Sequence, residues 1–161
     1  MTALDYAIQM ERDGEKYYWA QAERLQGTLL EPVFRRLAAD EREHAHLLEQ
    51  HGRKLAYELN ESQVYNEFQS VFAGHADFAA AWKSEPGQLD VYTEALRIEE
   101  DSIKLYEDML AQAEDEAEQR LFRFLLEQER LHKRVFEDIV EHLRKAEQWV
   151  ESAEFGRTEE Y

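Results

Sequence analysis

The sequence predicts an all-α protein, a four-helix bundle made of two related helical hairpins joined by a long crossover. Three observations carry that reading. Among 161 residues there are only six Gly and two Pro, whereas hydrophobic residues make up 43% and charged residues 34%, so breakers are scarce and strong helix formers dominate. Apolar side chains recur at three- and four-residue steps, the spacing of one face of an amphipathic helix. The second half also repeats the first at a constant offset of 88 positions, pairing Glu11 with Glu99, Asp13 with Asp101, Lys16 with Lys104 and Tyr18 with Tyr106. The length fits one domain over 1–161.

The first helix is expected over about 2–26, opened by a capping box between Thr2 and Asp5 and stopped by Gly27. The second starts near 28–32, where Thr28 and Glu31 repeat the capping spacing and Pro32 is tolerated in a first turn, and continues to about Leu59. Residues 60–87 then form a crossover long enough to traverse the bundle, and its Val64, Tyr65, Phe68, Val71 and Phe72 suggest a helix packed on the outside. After the break at Glu85-Pro86-Gly87 the third long helix is expected over about 88–113 and the fourth over about 115–148, leaving a tail at 149–161. Short joints within each half make antiparallel neighbours. The repeat keeps register through both turns, since Phe34, Leu37, Glu41 and His44 pair with Phe122, Leu125, Glu129 and His132.

Charge and composition exclude several classes of function. A formal net charge of −17, with 36 acidic against 19 basic residues, repels phosphate backbones and anionic bilayers, so neither nucleic acid nor membrane is an expected partner. The absence of cysteine rules out disulfides, thiolate zinc sites and iron–sulfur centres made by this chain. The N-terminal residues lack a basic region followed by an apolar run, and no stretch approaches the ~20 apolar residues of a membrane span. A cytoplasmic location is the resulting expectation.

The informative residues are charges set where a core should be. The apolar stripe of the second helix runs Phe34, Leu37, then Glu41 and His44, then Leu48, Leu55 and Leu59; that of the fourth runs Phe122, Leu125, then Glu129 and His132, then Phe136, Ile139 and Leu143. Glu11 falls likewise between Ala7 and Gly14, and Glu99 between Leu96 and Ile103. Four carboxylates converging in one core would repel one another and lose hydration, at several kcal/mol per unpaired ion. Lys133 is the one cationic side chain placed to help, and its repeat partner is Ala45. Protons or metal cations must supply the rest. In Glu-x-x-His both side chains share a helix face and can reach one ion, and here each such pair follows another Glu by 30 positions. Two divalent ions would balance four carboxylates, with each imidazole adding a neutral nitrogen.

This arrangement resembles the ferritin-like superfamily, and the stretches AIQMERDGEKYY, DEREHAHLLEQ, ALRIEEDSIKLYEDM and EQERLHKRVFED are most similar to rubrerythrin-type domains. The resemblance implies a centre of two iron ions, with Glu41 and Glu129 bridging, Glu11 and Glu99 as terminal carboxylates and His44 and His132 as terminal nitrogens. These six are both the candidate metal ligands and the candidate catalytic residues. The sequence departs from rubrerythrin proper in two ways. It contains no rubredoxin-like iron site, so an electron donor must be separate, and Leu96 and Ser102 stand where a further carboxylate one turn from Glu99 would be. Both departures count against the rubrerythrin route to peroxidase activity.

The leading functional expectation is a di-iron oxidoreductase, in which Fe(II) reacts with dioxygen or hydrogen peroxide as in a ferroxidase or a peroxide scavenger. Carboxylate and imidazole ligands suit iron, manganese or a mixed pair over soft metals. The alternatives are a non-catalytic metal-binding or iron-storage protein, an oxygenase acting on an organic substrate, and a purely structural bundle with protonated core carboxylates. A homo-oligomer, dimeric or larger, is expected. Tyr18 and Tyr106, each two turns beyond a Glu of the set, are placed either to hydrogen-bond the carboxylates or to serve as ordinary core aromatics. His51 reads as a structural histidine, and His46, His75 and His142 as exposed. The tail residues Trp149, Val150, Phe155 and Tyr161 are candidates for docking on the bundle or a neighbour.

Overall fold

The computed structural model of the protein describes residues 1–73 and 88–157, with side chains described for 1–71 and 90–145. The described residues form five helices and no strand: α1 Ala3–Arg24, α2 Glu31–Gly52, α3 Val64–Ala73, α4 Gln88–Gln112 and α5 Glu116–Arg157. The all-α, ferritin-like architecture is therefore as expected, with α1 packed on α2, α4 on α5, and α3 laid against α5 and α2. His75 and Tyr161 lie outside the described residues, as do the side chains of Phe72, Trp149, Val150 and Phe155, although the α5 backbone continues through those last three.

Local chemistry explains most of the boundaries. At the start of α1 the Asp5 N–H donates to Thr2 Oγ1 at 3.1 Å and the Thr2 N–H donates to Asp5 Oδ2 at 3.2 Å, the reciprocal capping box. Gly27 takes φ +82°, a left-handed conformation that turns the chain into α2. The second capping box does not form. The Thr28 hydroxyl turns back to donate to the Leu25 carbonyl at 2.7 Å, the Glu31 carboxylate accepts from the Gly27 N–H, and Leu30 occupies the cap of α2 without a side-chain bond. At α5 the Asp115 carboxylate accepts from the Glu118 N–H at 2.8 Å.

The largest departure is the end of α2, which stops at Gly52 and not near Leu59. The Leu55 N–H donates to the Gln50 carbonyl and the Lys54 N–H to the His51 carbonyl, the paired reversal of a Schellman cap. Lys54, at φ +58°, fills the left-handed position usually given to glycine. Leu55 is consequently 54% exposed and is not part of the buried stripe. The crossover thus begins at Arg53, runs back as non-helical chain to residue 63, and then forms α3, whose Val64 and Phe68 are buried in the core. Arg36 pairs with Glu67 at 2.8 Å, the Tyr65 hydroxyl donates to Asp138 at 3.2 Å, and Arg134 stacks over the Tyr65 ring, so α3 is tied to both α2 and α5.

Two apolar clusters make the core, and the repeat maps one on the other. Tyr18, Phe34, Leu37, Val135 and Phe136 belong to the first; their counterparts 88 positions away, Tyr106, Phe122, Leu125, Leu47 and Leu48, belong to the second. This is the approximate two-fold symmetry expected of two hairpins facing each other. The polar site described next is held between the hairpins by bonds from each to the other.

Candidate metal centre

Glu11 comes from α1, Glu41 and His44 from α2, Glu99 from α4, and Glu129 and His132 from α5, and the fold brings all six together. None is more than 3% exposed. Their ligand atoms fall into two sets, Glu11–Glu41–His44–Glu129 and Glu41–Glu99–Glu129–His132, each with its atoms within 4.8 Å of one another. Glu41 and Glu129 are common to both sets, the positions from which a carboxylate can reach two ions at once. Gly14, one turn after Glu11, makes room: a Cβ there would stand 3.3 Å from the Glu41 carboxyl carbon.

The bonds cross between hairpins. His44 Nδ1 lies 3.0 Å from Glu129 Oε1, and His132 Nδ1 lies 3.2 Å from Glu41 Oε1. The Tyr18 hydroxyl donates to Glu99 and the Tyr106 hydroxyl to Glu11, so each tyrosine serves the carboxylate of the opposite hairpin and not the Glu on its own helix. Three buried carboxylate oxygens, Glu11 Oε2, Glu99 Oε2 and Glu129 Oε2, have no hydrogen-bond partner among the described residues. Buried orphans of this kind are costly. They are oxygen donors of the type that iron and manganese accept, and the imidazole nitrogens complete the set, so the residues present fit a pair of such ions.

Electrostatics mark the same residues. Burial, followed by the Glu11 and Glu129 charges, pushes Glu41 well above the ordinary carboxylate range; burial and Glu129 do the same to Glu99, and Glu11 is raised for the same two reasons. Burial alone would lower both histidines, but the adjacent carboxylates overcome it, Glu11 foremost for His44, which is raised to about 10, and Glu99 foremost for His132, which rises well above its usual value. Burial would raise Glu129 too, yet hydrogen bonds from His132 and His44 hold it well below the ordinary range. Lys133 does not enter this balance, since its ammonium pairs with Glu100 at 3.7 Å outside the core.

Sequence reasoning did not single out Asp40. Its Oδ2 lies 2.9 Å from His132 Nε2 and also accepts from the Ser62 hydroxyl. A signal existed, because Asp40 directly precedes Glu41 and the repeat places Gln128, not an acid, before Glu129. The remaining histidines among the described residues stand as expected: His46 and His142 are exposed, and His51 packs on Tyr57 and Phe122 with Nδ1 3.0 Å from the Tyr57 hydroxyl.

A helical bundle enclosing a carboxylate and imidazole cluster able to hold metal defines a ferritin-like metal-binding class. Within that class the chain belongs to the rubrerythrin family, whose model, described as Rubrerythrin, matches residues 2–140. No curated protein and no solved structure matches the chain. No helix among the described residues is long and apolar enough to cross a membrane.

Proposed function

We propose that the protein is a di-iron carboxylate oxidoreductase that oxidises Fe(II) with dioxygen or hydrogen peroxide. The observation that supports this most is the pair of overlapping ligand sets sharing Glu41 and Glu129, with three buried carboxylate oxygens that make no hydrogen bond among the described residues. Two iron ions held there would supply two electrons to the oxidant. The residues of the chain do the rest. Glu11 and Glu99 are fixed by tyrosine hydroxyls, the imidazoles are aimed by the opposite hairpin, and the two apolar clusters keep bulk water from the ions. Residues 1–161 contain no cysteine, so re-reduction would draw on a donor other than a cysteine-bound iron centre within them. Stopped-flow absorbance of the Fe(II)-loaded protein mixed with each oxidant tests the reading. Repeated turnover with a reductant present is expected, whereas a single stoichiometric change would leave a storage or metal-binding role.

A groove of about 370 Å³ between α1 and α4 supports reaction with a small molecule from outside. Met10, Gly14, Tyr17 and Ile98 line it, and Gly14 separates it from Glu41. Gly14→Ala is expected to slow oxidation several-fold while both ions stay bound. The helix gains roughly 1 kcal/mol from the substitution, which offsets the contact at 3.3 Å with Glu41. Oxidation rates as a function of oxidant concentration, set beside metal content and melting temperature, check it; an unchanged rate would mean that the oxidant enters elsewhere.

A further inference from the structure

The approximate two-fold symmetry fails one residue before each shared carboxylate. Asp40 stands before Glu41, and Gln128, 3% exposed, stands before Glu129. Both side chains converge on Ser62 of the crossover. The Ser62 hydroxyl donates to Asp40 Oδ2, and the Ser62 N–H donates to Gln128 Oε1 at 3.0 Å. The Ser62 hydroxyl in turn accepts from the Val64 N–H at 3.1 Å, at the start of α3. A single crossover passes the bundle, so it cannot treat the two halves alike. Its serine meets a carboxylate that is bonded to His132 on one side and an amide on the other.

An imidazole has two nitrogens, and a carboxylate beside one of them keeps the proton there, leaving the other nitrogen's lone pair free for a metal. With Asp40 Oδ2 at 2.9 Å from Nε2, His132 keeps its proton on Nε2. Its Nδ1 is left facing Glu41, Glu99 and Glu129 at 3.2, 3.4 and 3.5 Å. We propose that Asp40 is a positioning residue for His132 with no equivalent for His44 among the described residues, so that the two metal positions of the centre are inequivalent. The position made by Glu99 and His132 is the tighter one. The position made by Glu11 and His44 is the one that fills last and empties first. The inference rests on the reading that the six residues hold two iron ions.

Loss of such a carboxylate partner typically lowers metal affinity about 10- to 100-fold. Anaerobic calorimetric titration with Fe(II), and Mössbauer spectra of protein loaded with two ⁵⁷Fe(II), test the idea on the wild-type chain, Asp40→Asn and Gln128→Ala. Asparagine keeps the shape and an acceptor oxygen for Ser62, and the metal-free melting temperature shows whether the fold is intact. Wild type is expected to bind two ions of different affinity, giving two quadrupole doublets of equal area. Asp40→Asn should weaken one ion by that factor and shift one doublet only, and Gln128→Ala should leave both ions in place. If wild type binds fewer than two ions, the di-iron reading itself fails. If it binds two while Asp40→Asn weakens both alike or neither, or Gln128→Ala weakens the second ion as Asp40→Asn weakens the first, the inequivalence is refuted.

Discussion

At pH 7 the iron-loaded protein is expected to melt well above the metal-free protein, and the gap should widen as pH rises. A ligand that binds only the native state, present at about a hundredfold excess over its Kd, adds ~2.7 kcal/mol, which for a chain of this size is roughly 5–10 °C per ion. The pH dependence follows from the cluster. Glu11, Glu41, Glu99, His44 and His132 all hold protons more tightly folded than their ordinary values of 4.5 and 6.5 allow. The stability they contribute is fully present below those ordinary values and is lost as pH rises through the folded ones, about 10 for His44. Glu129 and Asp40 are lowered and act in the opposite sense, their contribution being lost as pH falls through the depressed values. The raised carboxyls and imidazoles thus favour the metal-free protein in acid and lose that contribution as pH rises, for His44 between about pH 6.5 and pH 10. Metal competes with those same protons and binds more tightly as they leave. Melting scans at pH 5, 7 and 9, with and without a chelator, measure the gap. A melting temperature indifferent to chelation, or a gap that widens toward acid, would sink the buried metal centre.

The same cluster shows what could be read from sequence. Side chains of one helix that are to reach one ion must share a face, so the candidate pairs Glu41 with His44 and Glu129 with His132 show themselves by a three-residue spacing, and the 88-residue repeat adds Glu11 and Glu99 as candidates. Helical periodicity gives the face of a residue but not its partner across the bundle. Tyr18 was thus placed correctly on a ligand-bearing face, while its bond to Glu99 of the other hairpin depends on how the hairpins dock. The end of α2 was hidden for a local reason, because the residue that takes the left-handed turn is Lys54 where a glycine would have announced it. Gly52 is a misleading marker there: a Cβ on it would come within 2.8 Å of Leu4, so it records a close approach of α1. Asp40 was obscured by its surroundings, being one acid among 36, and only the crossover and His132 give it a distinct place.

Glu129→Gln is expected to remove both ions and also to lower the melting temperature of the metal-free protein, whereas Glu41→Gln should remove both ions and leave the metal-free protein at least as stable. The repeat makes these two residues equivalent; their surroundings do not. Glu41 is pushed well above the carboxylate range by burial and by Glu11 and Glu129, so a charge there is disfavoured without metal and an amide replaces the carboxyl with little loss. Glu129 is held well below the carboxylate range by hydrogen bonds from His132 and His44, with Oε1 at 3.0 Å from His44 Nδ1 and Oε2 at 3.5 Å from His132 Nδ1. Removing one partner of a buried ion pair costs about 3–5 kcal/mol, because the charge left behind is uncompensated. At roughly 2–4 °C per kcal/mol for a chain of this length, the metal-free Glu129→Gln protein should melt on the order of 10 °C lower. Metal analysis after loading with excess Fe(II), paired with calorimetric melting of the chelated proteins, separates the two effects. Retention of one ion in either variant would contradict a carboxylate common to both positions. Equal melting of the two metal-free variants would mean that Glu129 is not the anion that balances His44 and His132.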